Sequence, residues 1–209
     1  MAALDAFLPY VRLSVAGLPA PVLIHEVRAS CIRFCERSRV WRGLDSLDVV
    51  ADQSTYVIPV PPDAQLQCLE EVWFGGDPLQ AIAMDDLKAR FKQWPAISGT
   101  PLVYTQFSPD EVTLVPMPVT DLPAGLMMRG AYKPLRNAMS VPDFLYEQYA
   151  PVIASGALAF LLSQPELSCY NKDQALYHQG IFDQGTDKAQ TRADRGFTRA
   201  PRRTVARFL

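Results

Sequence analysis

Residues 151–162 read PVIASGALAFLL, and the fold turns on whether this run spans a bilayer or lies buried in a globular core. At twelve residues it is short of the about 20 that a hydrocarbon layer demands, which favours a buried helix. From Val152 to about Gln164 the pattern is apolar nearly all round and rich in Ala, Gly and Ser. Such residues leave little side chain between one helix backbone and the next, so the run reads as the central helix of a bundle. Pro165 stops it. Asn171 with Gln174 opens a further helix that Gly196 ends, with Leu176, Gln179 and Phe182 on one face, and the two helices form an antiparallel hairpin. Upstream, Ser140 with Asp143 has the spacing of a capping box, with Pro142 in the first turn. Pro151 withholds an amide hydrogen bond, so a kink or restart is expected there.

Toward the start of the sequence the helical period returns. From Pro21 to about Arg37 a stripe of Ile24, Val27, Cys31, Phe34 and Cys35 faces inward, while His25, Glu26, Arg28, Arg33 and Glu36 face away. A short helix around LDAFLPYV precedes it. Between these helical ends lie eleven of the eighteen prolines, in residues 45–139. There the runs STYVIPVP, LQCLEEVWF, TPLVYTQF, EVTLVPMP and GLMMRGAYK read as strands with turns. One helical stretch, MDDLKARFKQW, interrupts them, with Met84, Leu87 and Phe91 on one face and Pro95 after Trp94. The fold class is therefore α+β: a helical bundle from residues 1–44 and 140–196, an inserted antiparallel β domain over 45–139, and an extended arm over 197–209.

The chain has 209 residues, 49% apolar and 20% charged, enough to bury a core without staples. No charged start leads into an apolar run with a small-residue cleavage site, so neither export by that route nor membrane insertion is expected. Cys31, Cys35, Cys68 and Cys169 lack CxxC spacing and suit reduced, buried thiols in a cytosolic setting. Charge is uneven: residues 1–164 carry twelve Lys and Arg against seventeen Asp and Glu, residues 165–209 eight against five. An acidic body with a basic tail is a poor match for a duplex backbone. The tail itself, RGFTRAPRRTVARFL over 195–209, holds five arginines and no acid.

Chemistry is sparse. His25 and His178 lack a nucleophile or carboxylate pattern, and Cys31 and Cys35, one helical turn apart, lack the second ligand pair that structural zinc needs. Adjacent acids at Glu70 and Glu71, or Asp85 and Asp86, diverge on a strand or helix and are not expected to converge on a site. The glycines of FGGD suit a hairpin turn, not a phosphate loop. Trp41, Trp73 and Trp94 fall at edges of elements, where a core or a protein interface uses them. No catalytic residue, cofactor or metal ligand is expected, and an assembly protein fits better than an enzyme.

The segments PAPVLIHEVRASCIRFCERSRVWR, DQSTYVIPVPPDAQLQCLEEVWFGGDPL, ASGALAFLLSQP and YNKDQALYHQGIFDQG, in that order and spacing, resemble the head-to-tail adaptor (connector) proteins of tailed bacteriophages, particularly short-tailed ones. The resemblance implies a virion structural protein of the neck, assembled in the host cytoplasm. It implies a ring of about twelve copies below the portal protein, lengthening the DNA channel and giving tail (nozzle or tube) proteins a platform. Genomic DNA would pass without sequence-specific binding, and no membrane is involved. It also implies that the C-terminal segment grips the portal. Here Phe197, Arg199, Arg202, Arg203, Arg207, Phe208 and Leu209 would supply guanidinium forks and apolar anchors. A neck stopper or tail-tube subunit is usually mostly β, which the two long terminal helices argue against. A nucleic-acid-binding accessory protein should carry a basic, aromatic-lined groove in its body, whereas the positive charge here is confined to the end.

Overall fold

The computed structural model describes residues 1–15 and 17–196. In chain order its elements are strand β1 (Ala2–Ala3), a 3-10 turn (Leu4–Phe7), helices α1 (Leu8–Arg12) and α2 (Ala20–Ser38), and strands β2 (Arg42–Val49), β3 (Thr55–Val57), β4 (Ala64–Phe74), β5 (Asp77–Pro78) and β6 (Gln80–Ala81). Helix α3 (Met84–Arg90), a 3-10 turn (Trp94–Ala96), strands β7 (Val103–Thr105), β8 (Glu111–Val115), β9 (Leu122–Pro134) and β10 (Ser140–Val141), and helices α4 (Asp143–Leu162) and α5 (Lys172–Arg195) complete it. The fold is α+β. Two compact units arise, Met1–Trp41 with the chain from Lys133, and Arg42–Tyr132.

In the first unit the small residues of α4 set the packing. A Cβ at Gly156 would run into Ser30 Oγ of α2 and the Phe182 ring of α5, and one at Gly185 would lie 2.6 Å from Val152. With Gly156 opposite Phe182 and Val152 opposite Gly185, α4 and α5 run antiparallel. Ser30 Oγ donates to the Ile153 carbonyl at 2.6 Å, tying α2 to the same stretch. Val27, Cys31, Phe34 and Cys35 are buried on α2, and Leu145, Ile153, Ala157 and Leu161 on α4. Asn171 Oδ1 accepts the Gln174 amide at 3.0 Å and starts α5, while Gly196, at φ 66°, ends it.

Four local expectations change. Ser140 belongs to β10, which pairs with β1 as Ala3↔Ser140, and α4 begins after Pro142 with no side-chain cap. Pro151 does not restart the helix: α4 runs unbroken from Asp143 to Leu162, with its apolar face buried on both sides of the exposed Pro151, and Ser155 Oγ donates to the Pro151 carbonyl at 2.9 Å. Glu26 is buried, not turned away, because Arg33 donates to it at 2.7 Å. On α5 the buried stripe is Ala175, Phe182, Thr186, Ala189 and Ala193, and Leu176 is exposed.

The second unit holds two four-stranded sheets, ordered β2-β9-β4-β5 and β3-β8-β7-β6. β2 on β9, β3 on β8, β4 on β5 and β7 on β8 pair antiparallel, whereas β6 on β7 is parallel through Gln80↔Val103 and Ala81↔Tyr104, a local departure from the antiparallel expectation. Gly75 and Gly76, at φ 57° and 94°, make the turn between β4 and β5 that FGGD suggests. Leu87 of α3 packs on Val103 and Val115, ringed by Ile82, Met84, Phe91 and Trp94. Tyr132 donates to Asp45 at 2.6 Å, its ring filling the space that a side chain at Gly43 would need.

Candidate docking surface

Where α2, the last turns of α4 and the first turns of α5 meet, the first unit opens a groove of about 690 Å³. Arg33, Arg37, Phe160, Tyr170, Lys172 and Leu176 line it. The geometry follows from the Ala-rich stretch above it: close backbones leave no room for Phe160, which turns outward, and the loop from α4 to α5 brings Tyr170 beside it. Leu176 is 63% and its neighbour Tyr177 67% exposed, a concentration of apolar surface that marks an interface when rimmed by polar groups.

The rim, which also includes Glu36, is a set of ion pairs that hold its arginines in place. Arg33 bonds Glu26 and stands over the Phe160 ring at 5.8 Å. Arg37 pairs with Asp183, reaches Asp187 at 3.3 Å and lies over Phe182 at 5.9 Å. The hydrogen bond from Arg37, helped by Gln179, holds the Asp183 carboxyl below the usual carboxylate range. Burial pushes Glu26 above that range despite Arg33. Aromatic and apolar faces rimmed by satisfied ion pairs suit a partner segment with apolar side chains.

Of the residues singled out from sequence, Phe197, Arg199, Arg202, Arg203, Arg207, Phe208 and Leu209 lie outside the described residues; α5 carries the chain to Gly196, immediately before them. Cys31 and Cys35 are buried on the core face of α2, burial pushing Cys31 up to about 12 and Cys35 well above an ordinary thiol. His25 is exposed; His178 is half-buried beside Tyr177, its rings 5.4 Å away, and burial lowers its pKa. Glu70 and Glu71 are both bound by arginine: Arg129 reaches Glu70 at 3.3 Å and Glu71 at 2.6 Å, while Arg42 holds Glu70 at 2.7 Å. The long guanidinium arms cross the strand that the acids' own directions would keep apart. Among the described residues no group of three or more His, Cys, Asp and Glu could hold a metal ion, and no helix is long and apolar enough to cross a membrane. The groove itself escaped the sequence reading. Its signal was Phe160, bulky inside a small-residue run, and the Leu176-Tyr177 pair, which falls off the buried stripe.

The chain belongs to the SU10 adaptor protein family, whose model matches residues 12–205. No curated protein matches it. Membership makes it a phage structural protein with an adaptor role, which implies the virion neck, with portal and tail components as its neighbours.

Proposed function

We propose that the chain forms a head-to-tail adaptor ring of about twelve copies that docks under the portal, lengthens the DNA channel and gives tail nozzle or tube proteins their platform. The family match over residues 12–205 carries this reading. Residues 197–209, with four arginines and no acid, are the portal-gripping segment: Arg199, Arg202, Arg203 and Arg207 pair with carboxylates, and Phe197, Phe208 and Leu209 fill apolar pockets. The second unit bears twelve Asp and Glu against five Lys and Arg, a balance that keeps passing phosphates from being held. Assembly takes place in the host cytoplasm.

Deleting residues 197–209 tests the reading, because a terminal segment contributes little to the core. The truncated protein should keep its circular dichroism and solubility and lose binding to the portal of the same phage. Arg202→Ala and Arg203→Ala should each weaken that binding, and Phe208→Ala should do so at low and high salt alike. If truncation instead removes binding to duplex DNA, with steep salt dependence, and spares the portal, the segment is a nucleic-acid arm and the ring-docking reading falls.

A further inference from the structure

The second unit is acidic, yet its few cations are not spread among its acids. Arg42 and Arg129 are bound to Glu70 and Glu71. The other three, Lys88, Arg90 and Lys92, fall within five residues at the end of α3 and just beyond it, all exposed. None of the three enters an ion pair among the described residues. The helix dipole accounts for Lys88 and Arg90, which answer Asp85 and Asp86 in the first turn. It accounts neither for Lys92 nor for what lies alongside: Trp94 stacked on Phe107, centroids 5.3 Å apart, with Phe107 49% exposed and Leu102 61% exposed.

The same unit carries a patch of the opposite character. After β2 the chain turns through Val50 and Asp52, the Asp52 amide bonding the Pro118 carbonyl at 2.9 Å. Asp48 accepts the Ala124 amide and Asp121 the Ala51 amide, each at 2.7 Å, so the three aspartates gather around the exposed Val50 and Val119. Among the described residues no lysine or arginine pairs with any of them. Exposed apolar side chains thus lie beside three unpaired cations at the end of α3, with Asp85 and Asp86 at the other end of that helix, and beside three aspartates at the turn, and among the described residues no ion pair joins the two patches within a chain.

We propose that the cationic, aromatic end of α3 docks on the aspartate turn of a second copy of this chain. Two unlike patches that complement each other make a heterologous contact, the kind that repeats from copy to copy and closes into a ring when the rotation allows. The proposal deepens the ring reading and rests on it for closure. Net repulsion between two acidic units is screened beyond about 8 Å at physiological salt, whereas charges brought into contact still attract. Exposed pairs are individually weak, so the contact forms when copies are already held side by side. A phosphate backbone is the poorer occupant, because the rest of the unit repels it.

The test couples carboxylates to lysines directly with a zero-length carbodiimide, on an equal mixture of ¹⁴N- and ¹⁵N-labelled full-length protein at high concentration and low salt. Mixed-isotope amides joining Lys88 or Lys92 to Asp48, Asp52 or Asp121 are expected, falling several-fold in Arg90→Glu, which reverses a charge of the patch and leaves both reacting lysines in place. Asp52→Asn, which tolerates the left-handed φ of 61° at that position, should weaken them as well, and unchanged circular dichroism excludes unfolding as the cause. Amides confined to single chains, or mixed amides indifferent to Arg90→Glu, would overturn the proposal. So would duplex DNA binding that is lost in K88E/R90E/K92E when the native chain gives no mixed amides, which marks a nucleic-acid face. Rings that form on the portal with the triple variant refute this contact and leave the adaptor reading intact; mixed amides with no ring on the portal do the reverse.

Discussion

Gly156 and Gly180 both sit inside helices, and their surroundings give them opposite roles. At Gly156 any side chain meets Ser30 and Phe182, whereas at Gly180 nothing lies within 4 Å of where a Cβ would stand. Gly156→Leu should therefore lower stability by roughly 1–3 kcal/mol or more through overpacking. Gly180→Ala should raise it by about 0.5–1 kcal/mol through helix propensity alone. Urea midpoints measure both, and a Gly156→Leu variant with an unchanged midpoint would mean that α4 is not closely packed. Glu26 supplies a test of the groove's rim. Its pKa in the folded chain is raised above 4.5, chiefly by burial, so its contribution to stability is present below pH 4.5 and is lost as pH rises through the raised value. Measured against Glu26→Gln, the native chain should lose relative stability between pH 4 and pH 7. A difference that grows in its favour over that range would show that Arg33 outweighs the burial.

Among the elements, α4 carries the sharpest expectation. Pro151 lies within it on its exposed side, so Pro151→Ala restores one backbone hydrogen bond without touching the core. It should stabilise the protein by up to about 3 kcal/mol, and a lower thermal midpoint would mean that the proline relieves strain not apparent in the helix. This residue also shows where sequence reading stops. A proline reports the missing donor but not the packing on either side, and here the buried apolar face of α4 continues across it. Strand β2 was hidden for a different reason. Leu44 and Leu47 stand three apart, not two, because Leu44 is on the exposed face of a regular stretch of the ladder while Leu47 shares the other face with Val49, and the register shift with β9 comes only after Leu47. The long helices, by contrast, were legible from the periodic stripe of α2, the unbroken apolar run of α4, and the Asn171 start and Gly196 end of α5. Glu26 and Leu176 were misplaced because a charged residue with a private partner and an apolar residue with an external use both look, by type alone, like their opposites. The groove was unread for the same reason, since Phe160 and Leu176 look like core.

At the scale of the whole molecule, the uneven charge and the weak pairwise contacts set how it should behave alone. In dilute solution, light scattering should report a monomer of 23.2 kDa, with rings appearing only when a portal holds copies side by side, because effective concentration then supplies the lateral bonds. A stable ring without any partner would refute that order of assembly. The first unit has a further consequence, because it is built from both sides of the inserted sheets: α2 packs on α4 and α5, which are encoded more than a hundred residues later. On a ribosome adding about 5–20 residues each second, α2 therefore waits roughly ten to thirty seconds for the helices that cover Val27, Cys31, Phe34 and Cys35. During that interval Arg42–Tyr132 already has all its own strands and can fold first, while the nascent N-terminal helix presents two thiols and an apolar stripe to whatever chaperone stands at the tunnel exit.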